Sequence, residues 1–171
     1  ANGAQVAIAT ELAVCGYPPR DLLLQPDFIT TSFETAKNLA VEIPVLVGTP
    51  IPPDHERNLP ANGVVRAGVL QAVPNKDNTN RVVAKKQLLP SYDVFDETRY
   101  FTPANRSGIC RSIGEIDLGI TICEDAWQAA GLTPSAYGQD PVASLAEWGR
   151  QGVSLDATVN LSASPYHADK V

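Results

Sequence analysis

Apolar residues along this chain fall in short runs of roughly four to eight, separated by polar stretches rich in proline and glycine, the spacing of a strand-rich domain. QVAIATEL (residues 5–12) predicts a buried strand ending at Glu11. GYPPRDLLLQPDF (16–28) follows, and its paired prolines forbid a regular element at its start. From Thr31 a helix is signalled: Thr31 and Glu34 fit a capping box, and Phe33, Ala36 and Ala40 fall on one face. IPVLVGTP (43–50) predicts a buried strand, and 51–60 a surface loop. NGVVRAGVLQAV (62–73) suggests two strands or a bent one, 73–81 has turn composition, and RVVAKKQLLP (81–90) is strand-like with Lys86 near its end. EIDLGITI (115–122) leads into Cys123. Asp140 as N-cap and Pro141 at the first helical position open a second helix, with Val142, Leu145 and Trp148 facing inward. LDATVNLSAS (155–164) is the last strand. Several strands are apolar on both faces, which implies a sheet covered on both sides and an α/β layered domain.

Composition narrows the functional classes. The 171 residues suffice for one domain with a substantial core. A net charge of -6 without a basic run argues against a nucleic-acid partner. No apolar stretch approaches the roughly 18 residues of a membrane span, and no signal peptide opens the chain. Three cysteines, Cys15, Cys110 and Cys123, do not make a disulfide framework and imply a reducing compartment. With no CxxC and two distant histidines, a structural metal site is not expected. The absence of methionine suggests an interior piece of a longer protein.

Three reactive side chains share one kind of position. Glu11, Lys86 and Cys123 each stand at or just beyond the C-terminal end of an apolar strand, where layered α/β folds build their sites. A thiol with an ordinary pKa near 8.5 is mostly protonated at neutral pH. A carboxylate can take its proton, and an ammonium can stabilise the thiolate and then the oxyanion of a tetrahedral adduct. Such a set suits acyl transfer from an amide through a thioester. Each residue also has a plain alternative. Cys123 could be a small core residue, Glu11 could cap a loop or pair with Arg20, and Lys86 beside Lys85 could be half of a solvated pair. Cys15 and Cys110 read as structural.

In their order, TELAVCGYPPRDLLLQPDF, KKQLLPSYDVFDETRYF, LGITICEDAW and VNLSASPYH resemble the glutaminase domain of glutamine-dependent NAD synthetases, within the nitrilase (carbon–nitrogen hydrolase) superfamily. The resemblance implies an α-β-β-α sandwich over residues 1–171, incomplete at both ends, with a C-terminal synthetase domain outside the chain. It maps the general base onto Glu11, the catalytic lysine onto Lys86, the nucleophile onto Cys123 and a glutamate supporting the lysine and the substrate amide onto Glu97, whose alternative is a buried pair with Arg99 or a loop contact. For binding glutamine it points to Tyr92, Glu124, Ser164 and Lys170. A zwitterionic head needs an acceptor such as Glu124 for its ammonium and donors such as Ser164 or Lys170 for its carboxylate. Tyr92 could equally be a core aromatic.

The expected activity is hydrolysis of the glutamine amide, supplying ammonia to a synthetase that amidates ATP-activated deamido-NAD in the cytoplasm. No cofactor is expected in this domain, and ATP and Mg are implied for the synthetase domain, since no Gly-rich phosphate motif occurs here. The resemblance also implies a homo-oligomer. A stand-alone amidase for another small amide, or a non-catalytic domain keeping the fold, are the competing readings. Ammonia release from glutamine against aliphatic amides separates the first; the presence of all three reactive residues in their motifs speaks against the second.

Overall fold

The computed structural model describes residues 3–53, 65–74, 80–106, 108–113, 116–133 and 137–164. The stretch 54–64, the turn residues 75–79 and Lys170 lie outside the described residues. Among the described residues, seven strands form two sheets. β1 (Ala7–Ile8), β2 (Val45–Ile51), β3 (Arg66–Ala72) and β4 (Arg81–Lys85) follow one another across the first. β5 (Gly108–Ile113), β6 (Ile116–Ile122) and β7 (Ala157–Leu161) make the second. α1 (Pro26–Lys37) lies in the crossover from β1 to its parallel neighbour β2, and α2 (Pro141–Arg150) in the crossover from β6 to its parallel neighbour β7. Each sheet is thus built around one βαβ unit, extended by antiparallel strands.

The period-two alternation of the strands sorts their side chains into layers. Leu46, Val69 and Ala84 of the first sheet meet Ile113, Leu118, Ile120, Ile122 and Leu161 of the second in one shared core. The opposite face of the first sheet, through Val47, Ile51, Leu70 and Ala72, receives Phe33 and Ala36 of α1. On the outer face of the second sheet, a Cβ placed on Gly119 would lie 3.2 Å from Leu145 of α2. The order is helix, sheet, sheet, helix, the expected α-β-β-α sandwich.

Local structure departs from the sequence reading in three places. The first strand is only two residues long, because the chain leaves the sheet after Ile8 and turns across β2, burying Leu12 in the turn. α1 starts at Pro26, not Thr31: Gln25 precedes it, Pro26 fills the first position, and Thr31 lies mid-helix and is no cap. Glu34 pairs instead with Lys37, at 2.9 Å. GICRSI is a strand, β5, that the periodicity did not signal, and its pairing with β6 is irregular between Cys110 and Ile113. α2 starts as read, with Asp140 accepting the Ala143 N–H at 2.9 Å, and it buries Pro141 and Leu145. Of NGVVRAGVLQAV, residues 62–64 lie outside the described residues, and the rest carries the strand β3.

Candidate active site

Strand direction assembles the site. β1, β2 and β4 point the same way, so Glu11, beyond β1, and Lys86, just after β4, emerge at one edge of the first sheet. In the second sheet β6 and β7 are parallel, so Cys123 and Ser164 leave by a common edge. The two edges adjoin.

Lys86 is fully buried, and its ammonium Nζ donates to Glu11 Oε1 and to Glu97 Oε1, both at 2.7 Å. Glu97 is therefore paired with Lys86, while Arg99 lies near Asp21 and Asp96. Glu11 meets Lys86 and not Arg20. The backbone of Lys86 is pinned on both sides, its N–H to the Ala67 carbonyl at 2.9 Å and its carbonyl accepting from Ala104 at 2.8 Å. Burial pulls the ammonium down, but Glu11 and then Glu97 outweigh it, and the lysine is held above its ordinary value. Burial raises the Glu97 carboxyl to about 7 against the pull of Lys86, with Glu11 adding to the rise. Glu11 Oε2 and Glu97 Oε2 are buried and have no hydrogen-bond partner among the described residues. Glu11 thus keeps an acceptor oxygen for a proton while its other oxygen is occupied.

Cys123 begins a tight 3₁₀ turn, Cys123–Ala126, directly at the end of β6, with φ of 49°. A non-glycine residue in that left-handed region is strained, and a sharp strand-to-helix turn is how nucleophiles are thrust out of a sheet. Leu12, next to Glu11, has φ of 50°. Cys123 is 3% exposed and packs with the shared core on one side, so part of the core-residue reading holds. Its sulfur nevertheless lies in the field of Glu11, Lys86 and Glu97, with Ser164 near it. Burial, then Glu11, pushes the thiol up to about 11; Lys86 and Ser164 oppose the rise. At neutral pH the resting group is the protonated thiol, which needs a base to react.

Several residues that the sequence reading gave no role shape this arrangement. Asp125 is buried, and its Oδ1 accepts the N–H groups of Gln87 and Leu88 at 3.1 and 2.8 Å, while Oδ2 accepts that of Ile122 at 3.1 Å. One carboxylate ties the Lys86 segment to the Cys123 turn. Burial lifts it to about 6, although the Leu88 and Ile122 N–H groups hold it down. Tyr17 donates to Glu97 Oε1 at 2.8 Å, and Asn160 Nδ2 donates to the Cys123 carbonyl at 3.2 Å. Gly48 lets the Glu11 turn lie directly on β2: a Cβ there would come within 2.3 Å of Leu12 N and 2.8 Å of the Glu11 carbonyl carbon.

Glu124 is buried beside the nucleophile and accepts the Tyr92 hydroxyl on Oε2 at 2.5 Å and the Tyr137 hydroxyl on Oε1 at 2.8 Å. Tyr92 is therefore a hydrogen-bonding group, with its ring edge-on to Phe95 at 5.5 Å. Of the eight residues expected in the site, seven are described. Glu11, Lys86 and Glu97 are joined by direct contacts, Cys123 and Ser164 lie beside them, and Tyr92 joins Glu124. Among the described residues no group of three or more His, Cys, Asp and Glu side chains could hold a metal ion, and no helix is long and apolar enough to cross a membrane.

No family model matches the chain. Among curated proteins, it is 38% identical to the glutamine-dependent NAD(+) synthetase of Synechocystis sp. across 99% of its own length and 30% of that protein. Against the glutamine-dependent NAD(+) synthetase of Thermotoga maritima the figures are 35%, 99% and 26%. The chain thus spans less than a third of the length of these two relatives. Among solved structures it superposes on a glutamine-dependent NAD+ synthetase from Acinetobacter baumannii with a TM-score of 0.68, at 24% identity, over 98% of this chain and 27% of that one. It also superposes on an amidase from Nesterenkonia sp. AN1 of the nitrilase superfamily, TM-score 0.52 and 18% identity, over 73% and 45% of the two chains. Another form of that amidase carries the acetamide moiety of fluoroacetamide on its active-site cysteine; TM-score 0.59, 17% identity, 94% and 53% covered.

Proposed function

We propose that this chain, a homologue of part of the glutamine-dependent NAD(+) synthetases with the fold of the nitrilase-superfamily amidases, hydrolyses the side-chain amide of glutamine and supplies ammonia to the remainder of a longer enzyme. The observation that carries this reading is the buried Lys86 bridging Glu11 and Glu97 beside Cys123.

Glutamine lies with its amide carbon over the Cys123 sulfur. Glu11 takes the thiol proton as sulfur attacks, which a thiol raised to about 11 requires. The carbonyl oxygen becomes an oxyanion, held by the Lys86 ammonium and the backbone N–H of Glu124. Protonated Glu11 returns its proton to the departing nitrogen, the C–N bond breaks, and ammonia leaves a γ-glutamyl thioester. Water then attacks the thioester carbonyl, losing a proton to Glu11; the C–S bond breaks, glutamate forms, and the thiol is restored. Glu97 holds Lys86 in place and offers its unpartnered oxygen toward the amide.

Glu124 receives the substrate ammonium with Tyr92 beside it, and Ser164 and Lys170 serve the carboxylate. The placing of Ser164 against the sulfur favours a second task for it, steadying the thiolate. The ammonia is consumed where ATP-activated deamido-NAD is amidated to NAD, in a synthetase domain of the same polypeptide, within a cytoplasmic homo-oligomer. ATP and Mg²⁺ belong to that domain. This chain does not fit them: it has no Gly-rich phosphate loop, and its described residues form no metal-ligand cluster.

The test is Cys123→Ala in the full-length enzyme. Glutamine-driven NAD synthesis is lost and ammonia-driven synthesis continues; glutamine use surviving in that variant overturns the proposal.

A further inference from the structure

Glu124 is a buried carboxylate with an unusual set of neighbours. Each of its oxygens accepts one phenol hydroxyl, Tyr92 on Oε2 and Tyr137 on Oε1, and among the described residues no Lys or Arg pairs with it. Neutral donors hold a carboxylate in place without cancelling its charge, and an ionised carboxylate has further lone pairs to offer. A buried carboxylate fixed in this way is placed to receive a cation.

The two phenols come from different parts of the chain. Tyr92 follows the Lys86 segment, whereas Tyr137 lies in the crossover from β6 to α2, three residues before the Asp140 cap. The crossover turns back at Gly131, left-handed at φ of 66°, with the Leu132 N–H bonded to the Trp127 carbonyl.

We propose that Tyr137 is a positioning residue that, opposite Tyr92, sets the Glu124 carboxylate to receive an α-ammonium group and so makes the site selective for amides that are amino acids. This rests on the glutaminase reading given above. Losing one hydrogen bond to a charged group weakens recognition about tenfold to hundredfold.

The experiment uses the full-length enzyme and two probes, glutamine and glutaramate, which keeps the amide and the carboxylate but lacks the α-ammonium. In Tyr137→Phe, KM for glutamine rises tenfold to hundredfold, kcat changes less than threefold, and Ki for glutaramate as a competitor stays within twofold. In a Glu124→Gln background, adding Tyr137→Phe changes KM by less than twofold, since its effect runs through that carboxylate. An unchanged KM for glutamine, an equal rise in the glutaramate Ki, or independent effects in the double variant each overturn the inference. A wild-type enzyme that does not hydrolyse glutamine overturns the glutaminase reading itself, and is seen before any variant is made.

Discussion

Replacing Gly48 with alanine puts a methyl group into the turn that carries Glu11. The added Cβ would sit 2.3 Å from Leu12 N, 2.5 Å from the Thr10 carbonyl oxygen and 2.8 Å from the Glu11 carbonyl carbon, where ordinary contact begins near 3.4 Å. All three are backbone atoms, so no side chain can swing away, and about 1 Å of main-chain movement is needed. β2 is the poorer candidate to yield, being paired with β1 on one side and along its whole length with β3 on the other. The Glu11 turn moves instead, held to β2 by the Val14 N–H on the Gly48 carbonyl and the Ala9 N–H on that of Leu46. Overpacking of this kind costs about 1–3 kcal/mol. A misplacement of about 1 Å at a catalytic group costs on the order of a hundredfold in rate. The expected outcome in the full-length enzyme is a fall of about a hundredfold in kcat/KM for glutamine hydrolysis, with ammonia-driven synthesis spared. Gly149→Ala is the control, because nothing lies within 4 Å of a Cβ there and the position is helical. Gly48→Ala retaining activity within threefold of wild type refutes the argument that this glycine sets the position of Glu11.

Lys86→Met leaves two buried carboxylates facing each other without their cation, which destabilises this region by about 3–5 kcal/mol. Hydrogen exchange in peptides spanning Lys86 and Cys123 should rise accordingly, and unchanged protection would contradict it. Glu97 supplies a pH signature. Its carboxyl is raised from 4.5 to about 7 by burial, so the folded state holds that proton more tightly than the unfolded state does. The resulting stability is present below pH 4.5 and lost as pH rises to about 7. Glu97→Gln should flatten the fall in local stability across that window, measured by the same exchange at fixed intervals of pH; identical slopes would contradict it.

Much of the layered fold was legible because several strands are apolar on both faces and α2 announces itself through Asp140 and Pro141. The start of α1 was not. Thr31 and Glu34 have the spacing of a capping box, but Pro26 already supplies a first position, and that signal was masked by the prolines just upstream. β1 was overread because Leu12, although apolar and buried, serves a turn. β5 escaped because Arg111 and Ser112 break its apolar run and its register is irregular. In the site, the motifs pointed to Glu11, Lys86, Glu97 and Cys123; the resemblance gave Glu97 to the lysine, while the residues alone left Arg99, nearer in sequence, as a rival partner, and the 2.7 Å contact is with Lys86. Tyr137 gave no signal: it is a loop residue 13 positions beyond Glu124, and only the return of the crossover brings them together. Asp125 adjoins the nucleophile in sequence, but the three amides it gathers come from two separate strands' ends.

That gathering has a consequence for how the protein fails. With Gln87 and Leu88 anchored on the same side chain as Ile122, the halves of the reaction centre share one rivet across the seam of the sandwich. Neither half can drift while the other stays in register. On the glutaminase reading, turnover then depends on the two layers staying joined at this side chain.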